Sequence, residues 1–199
     1  MPLPLVQDAR IVPSKVTRYG VGGGLLVSLD EETVYQPDGP SNKNETTELQ
    51  YTPLPFVSGW GRVGLGGGGE LQVAFQLPSF AISLGGKYGL VGREAGSAFA
   101  LALSGDVTVS PVMVEWGIGG SLHATIRLSK DVDLDLTGRF GTWVGQWHVP
   151  AVTTTMGVTI HDGDKERWHV TLGWAQPVAI PGFEGRSIQA GFAGVAWSR

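Results

Sequence analysis

Apolar and polar residues alternate almost without a break through residues 112–128 and 132–144. In the first segment Val112, Val114, Trp116, Ile118, Leu122, Ile126 and Leu128 share one face, and Glu115, Ser121, His123, Thr125 and Arg127 share the other. In the second, Val132, Leu134, Leu136, Phe140 and Val144 oppose Asp133, Asp135, Thr137 and Arg139. A period of two sends successive side chains to opposite faces and defines a strand. Both segments are longer than the usual strand of about five or six residues in a globular sheet, and both reach the roughly 9 to 11 residues that a tilted strand needs to cross a bilayer. One apolar face and one charged face are what a barrel wall requires when lipid lies outside and a polar lumen inside.

The same alternation, in shorter runs, predicts further strands at 16–29, 49–65, 70–77, 80–91, 97–109, 151–160, 168–175 and 186–197. The expected fold is therefore an all-β, antiparallel, up-and-down transmembrane β-barrel of about ten strands. An eight-stranded alternative follows if 70–91 is read differently. Residues 16–197 form a single barrel domain, and residues 1–15, with three prolines and little period, form an N-terminal extension that either hangs free or folds into the barrel mouth. Pro53 and Pro55 confine regular pairing of the second strand to its later half. The polar stretch 30–48 reads as a long external loop, GGGG at 66–69 as a tight turn, and HDGDKER at 161–167 as a seven-residue polar turn. The last strand has an ambiguous phase, because Ile188 and Phe192 oppose Val195 and Trp197.

Composition changes the picture in one respect. Only 16% of residues are charged, against roughly 25% in an average soluble protein, and Lys15, Lys43, Lys130 and Lys165 all fall in apparent ends or turns, leaving Lys87 inside a strand. A soluble barrel with its polar face outward would carry a poor surface of Gly, Ser and Thr. The net charge of −4 argues against a nucleic-acid partner. With no cysteine there is no disulfide framework or thiolate metal site. His161, Asp162 and Asp164 match no calcium-loop spacing, and GGGG lacks the Lys-Ser/Thr ending of a phosphate loop, so no metal or cofactor is expected. No apolar run of about 18 residues is present to make a membrane helix. The opening Met-Pro-Leu-Pro-Leu does not read as a signal peptide, which leads to the expectation that an export signal has been removed.

The alternating strands, the run RVGLGGGGELQVAFQL and the aromatic last strand GFAGVAW resemble those of bacterial outer-membrane β-barrel proteins as a class. The resemblance implies residence in a bacterial outer membrane, membrane lipid or detergent as the natural surroundings, and a monomer. It also implies a final strand whose terminal aromatic the assembly machinery reads; here Trp197 is followed by Ser198 and Arg199. Tyr19, Tyr88, Phe99 and Trp168 near one end of the strands, with Trp116 and Trp174 near the other, suit two aromatic belts.

With the apolar face against lipid, Arg18, Arg62, Glu70, Lys87, Asp106, Glu115, His123, Arg127, Asp133, Asp135, Arg139 and His169 are expected to line the lumen. The turn at Ser129 should place Arg127 opposite Asp131 or Asp133, and Asp135 near His123 or Arg127. A lumen of eight to ten strands is narrow and largely filled by side chains. The expected role is passive, as a structural barrel or a narrow pore for ions or small solutes. Two other readings compete. One is a barrel hydrolase with Ser110, Glu115 and His148 at the external rim; the other is a soluble barrel that binds an apolar ligand.

Overall fold

In the computed structural model the chain forms a closed antiparallel barrel of ten strands: β1 (Thr17–Val34), β2 (Thr46–Gly66), β3 (Gly69–Leu77), β4 (Ala81–Val91), β5 (Phe99–Ser110), β6 (Glu115–Arg127), β7 (Val132–Val144), β8 (Pro150–Asp162), β9 (Glu166–Pro177) and β10 (Gln189–Ser198). The structure describes residues 8–34, 46–93, 96–112, 115–144, 150–163, 166–178 and 189–199. Each strand pairs with its neighbours in sequence, and β10 closes onto β1 from Leu29↔Gln189 to Gly20↔Ser198. The ten-strand reading holds and the eight-strand alternative does not. Segments 70–77 and 80–91 are two separate paired strands, joined from Gly69↔Tyr88 to Gln76↔Ala81.

Register fixes the barrel's dimensions. Pairings followed from Arg139 through Ser121, Ser104, Lys87 and Glu70 arrive at Gly64 on β2. Followed the other way, through Thr153, Ala175, Ala190 and Ser28, they arrive at Thr52 on the same strand. The twelve-residue offset between Gly64 and Thr52 is the shear of the barrel, and its midpoint, Ser58, lies level with Arg139 on the opposite wall. With strands about 4.8 Å apart and tilted by about 40°, opposite walls stand roughly 20 Å apart, backbone to backbone.

The outer wall is apolar. Leu84, Leu103, Val107, Ile118, Leu122, Phe140, Val170 and Leu172 are all exposed on it, Leu84 by 64%. Tyr19, Tyr88, Phe99 and Trp168 are exposed at the end that carries the short turns and the chain terminus, and Trp116 and Trp174 towards the loop end. The interior holds buried Ser, Thr, His, Arg, Lys, Asp and Glu side chains, the reverse of a soluble barrel.

Three local expectations are corrected. Segment 30–48 is not all loop: β1 and β2 stay paired out to Val34↔Thr46, so the hairpin stands beyond the rest of the rim; residues 35–45 lie outside the described residues. The prolines do not interrupt β2 on both sides. Pro55 faces Leu25 and Pro53 faces Val27 within a continuous ladder to β1, whereas pairing with β3 runs only from Val57↔Leu77 onwards. A proline nitrogen directed at the side without a partner removes no bond from the β1 ladder and takes a donor off a free edge. HDGDKER, finally, is mostly strand, since His161↔Arg167 and Asp162↔Glu166 are paired; residues 164–165 lie outside the described residues. In β10 the phase is settled with Phe192 buried and Val195 exposed; Ile188 lies outside the described residues.

Candidate functional site

Residues 8–12 (DARIV) are buried within the barrel, although they belong to no strand. The segment leaves β1 beside β2, where Ser14 bridges Gly64 and the Lys15 N–H donates to the Gly64 carbonyl at 3.1 Å. A Cβ on Gly64 would collide with the carbonyls of Val12 and Pro13, so only glycine lets the segment pass this close. From there it crosses the mouth. The Val12 N–H donates to Glu70 Oε2 on β3 at 2.8 Å, and Ile11 and Ala9 pack on Ala100 and Ala102 of β5. The Ala9 N–H donates to Thr125 Oγ1 on β6 at 2.8 Å, and the Arg10 guanidinium grips both carboxylate oxygens of Asp133 on β7. Because β7 stands diametrically opposite β2, the segment is a crossbar over the terminal end of the lumen.

The charges around it are arranged in two halves. On one side Arg62 Nε and Lys87 Nζ lie 3.3 and 3.0 Å from a single carboxylate oxygen of Glu70. Arg167, on β9 and in register with His161, has Asp8 as its salt-bridge partner at 2.9 Å. On the other side Asp133 gathers Arg10, Arg127 at 3.1 Å and His161 at 2.6 Å, while Asp135 accepts from Thr125 Oγ1 at 2.6 Å and Thr159 Oγ1 at 2.5 Å. Lys87 Nζ also donates to the main-chain carbonyls of Asp8, at 2.6 Å, and of Arg10, at 3.4 Å. Burial alone would raise the Asp8 carboxyl, but the cations Arg62, Lys87 and Arg167 outweigh it and hold the group well below the usual carboxylate range.

Above the crossbar, Arg139 projects into the lumen. Its guanidinium makes a two-pronged pair with Asp106, one prong at 2.8 Å, and lies against Gly119, where a Cβ would strike it. On the facing wall the buried Ser58 hydroxyl and Trp60 indole N–H have no protein partner among the described residues, and Arg62 lies over the Trp60 ring at 5.6 Å. Phe56, Phe192 and Leu26 form a small apolar cluster nearer the loops. His123 is fully buried between Ser104 Oγ, at 2.7 Å, and Thr137 Oγ1, at 3.0 Å. His169 sits between Thr159 and Ser198.

Of the residues expected in the lumen, Arg62, Lys87, His123, Asp133 and Asp135 are buried inside the barrel, and Asp106, Arg127 and Arg139 are partly buried there. Arg18 is half-buried at the terminal rim, in register with Arg62. The side chain of Glu115 lies outside the described residues, as does His148. Arg127 faces Asp133 in register, whereas Asp135 faces Thr125 in place of His123 or Arg127. Ser110 is buried and its hydroxyl donates to the Ser79 carbonyl at 2.7 Å. Asp8 and Arg10 were missed, because a five-residue stretch with no period gives no sign of what it touches. Two opposite charges in an otherwise apolar run, DARIV, were the one signal available.

No protein-family model matches the chain, and no curated protein matches it. Among solved structures it is similar to an outer membrane channel from Pseudomonas putida F1, with 11% identity over 96% of this chain and 97% of that one and a TM-score of 0.53. It is also similar to the NanC porin, with 8% identity over 89% and 98% and a TM-score of 0.48, and to the outer membrane protease OmpT from Escherichia coli, with 10% identity over 92% and 95% and a TM-score of 0.47. At such identities the likeness is one of fold: the chain has the closed antiparallel barrel of outer-membrane proteins.

Proposed function

We propose that this chain is a bacterial outer-membrane barrel that offers small solutes a narrow passive path, held shut at its terminal end by the crossbar. The observation that supports this most directly is how the closing segment is fastened. Residues 8–12 are held by side-chain contacts, with an isolated bridge at Ser14 behind them, and not by the ladder that closes the wall. Such a segment can leave without opening the barrel. Behind it lie unpartnered Ser58 and Trp60 donors and a wall of small hydroxyl side chains, which suit water or a polar solute better than a packed core. The apolar outer wall calls for lipid. No catalytic step enters this reading, since the hydroxyl of Ser110 is committed to a main-chain carbonyl.

Planar-bilayer recording tests the proposal. The unsubstituted chain should give rare, brief openings, and Asp8→Ala combined with Arg10→Ala should give sustained steps of current. A folded, inserted double variant that passes no current would refute the path. Folding of the chain in plain buffer without lipid or detergent would refute the membrane location.

A further inference from the structure

The crossbar's charges are complementary to the wall groups that receive them. The Asp8 carboxylate meets Arg167 on β9 and accepts from Thr125 Oγ1 on β6 at 3.3 Å, and Arg10 meets Asp133 on β7, which lies between those strands. The wall also reads main chain: Thr125 and Glu70 accept the N–H groups of Ala9 and Val12, and Lys87 reaches the carbonyls of Asp8 and Arg10. With the segment withdrawn, the same groups would present Arg167 and Asp133 as two opposite charges at one mouth, with donors and acceptors for a peptide main chain on Thr125, Glu70 and Lys87. We infer that the terminal mouth is a binding site for short peptides that carry an acidic and a basic side chain, the side-chain carboxylate going to Arg167 and Thr125 and a guanidinium to Asp133, which the chain's own Asp8 and Arg10 fill in the closed form.

The inference rests on the reading of the crossbar as removable. It accounts for three features together. Among the described residues, Arg167 has its salt bridge with the crossbar and not with the wall. Two cations crowd one carboxylate at Glu70. Ala100 and Ala102 present small apolar side chains against which Ala9 and Ile11 pack. A peptide of this kind would compete with the crossbar for its seat, so a solute that can enter from the terminal side would also open the path.

The probe is the tripeptide Asp-Ala-Arg, with Ala-Ala-Ala as control, titrated calorimetrically into the detergent-solubilised full-length chain carrying Asp8→Ala and Arg10→Ala. Saturable binding of the charged peptide is expected, weakened by about tenfold or more when Arg167→Gln or Asp133→Asn is added, the scale of losing a charge-assisted hydrogen bond. No binding, equal binding of the control, or indifference to both added substitutions would overturn the inference. If the double variant fails to fold, Ala9→Cys in the otherwise unsubstituted chain, which has no other thiol, replaces it. The peptide should then accelerate maleimide labelling of that position, and labelling unaffected by the peptide would overturn the inference. Binding is read here without a membrane, so a protein that binds the peptide but passes no current refutes the path alone, and one that conducts without binding refutes the site alone.

Discussion

Asp133→Asn should loosen the crossbar without unfolding the barrel, by an amount that follows from where its three partners sit. Arg127 is 24% exposed and His161 12% at the side chain, against 2% for Arg10. The first two can turn to solvent when the charge is removed, so little is lost there. Arg10 would keep the Ser97 carbonyl at 3.0 Å and Asp8 at 3.9 Å but lose its closest carboxylate while buried. Breaking a buried pair from one side costs about 3 to 5 kcal/mol, and the remaining amide oxygen of asparagine would recover about 1 kcal/mol as an ordinary hydrogen bond. A net loss of about 2 to 4 kcal/mol corresponds to a roughly 30- to 900-fold larger population of the released segment. Amide hydrogen exchange measures this directly, because the Ala9 and Val12 N–H groups are bonded to Thr125 and Glu70 in the closed form. Protection at both should fall together by that factor while amides in the β4 and β5 ladder keep theirs. Unchanged protection at Ala9 in a folded variant would refute the reasoning and leave the Ile11 contacts and the Ser14 bridge as what holds the segment. A uniform loss across the strands would show instead that Asp133 supports the wall.

Two further outcomes follow from the wall itself. Leu84 lies near mid-height on the outside, since counting from Arg139 around the shear brings β4 level close to Ser83. Leu84→Arg should therefore cost about 2 to 4 kcal/mol in lipid, read as a lower denaturant midpoint in vesicles; a neutral result would remove Leu84 from the lipid face. Replacing Pro53 and Pro55 by threonine should restore donors on the unpaired side of β2 and promote edge-to-edge dimers, detectable by light scattering in detergent, and a variant as monodisperse as its parent would show that the prolines do not guard that edge.

Much of the wall could be read from the residues alone because a barrel strand repeats one simple rule. The 132–144 alternation is β7 to the residue, and 70–77 is β3 but for one glycine. The hairpin beyond Leu29 was hidden because DEETV and TTELQ are polar on both faces, so the period carries no signal although the backbone pairs. The pair Arg127 and Asp133 followed from a short turn and simple register. The crossbar did not, because its partners are remote: Asp8 meets Arg167 across 159 residues and Val12 meets Glu70 across 58. No local propensity encodes a contact of that span, and a proline-bearing leader reads equally well as a tail in solution.

The remoteness of those partners also orders events in time. Loops that long are closed late in folding, and the seam between β1 and β10 is sealed at its very end by reciprocal bonds between Tyr19 and Arg199. Arg167 lies at the start of the penultimate strand, so a nascent wall lacking β9 and β10 can offer the segment its Asp133 grip but not its Asp8 anchor. Closure of the cylinder and seating of its bar are thereby coupled, since the bar's last charged anchor arrives only with β9.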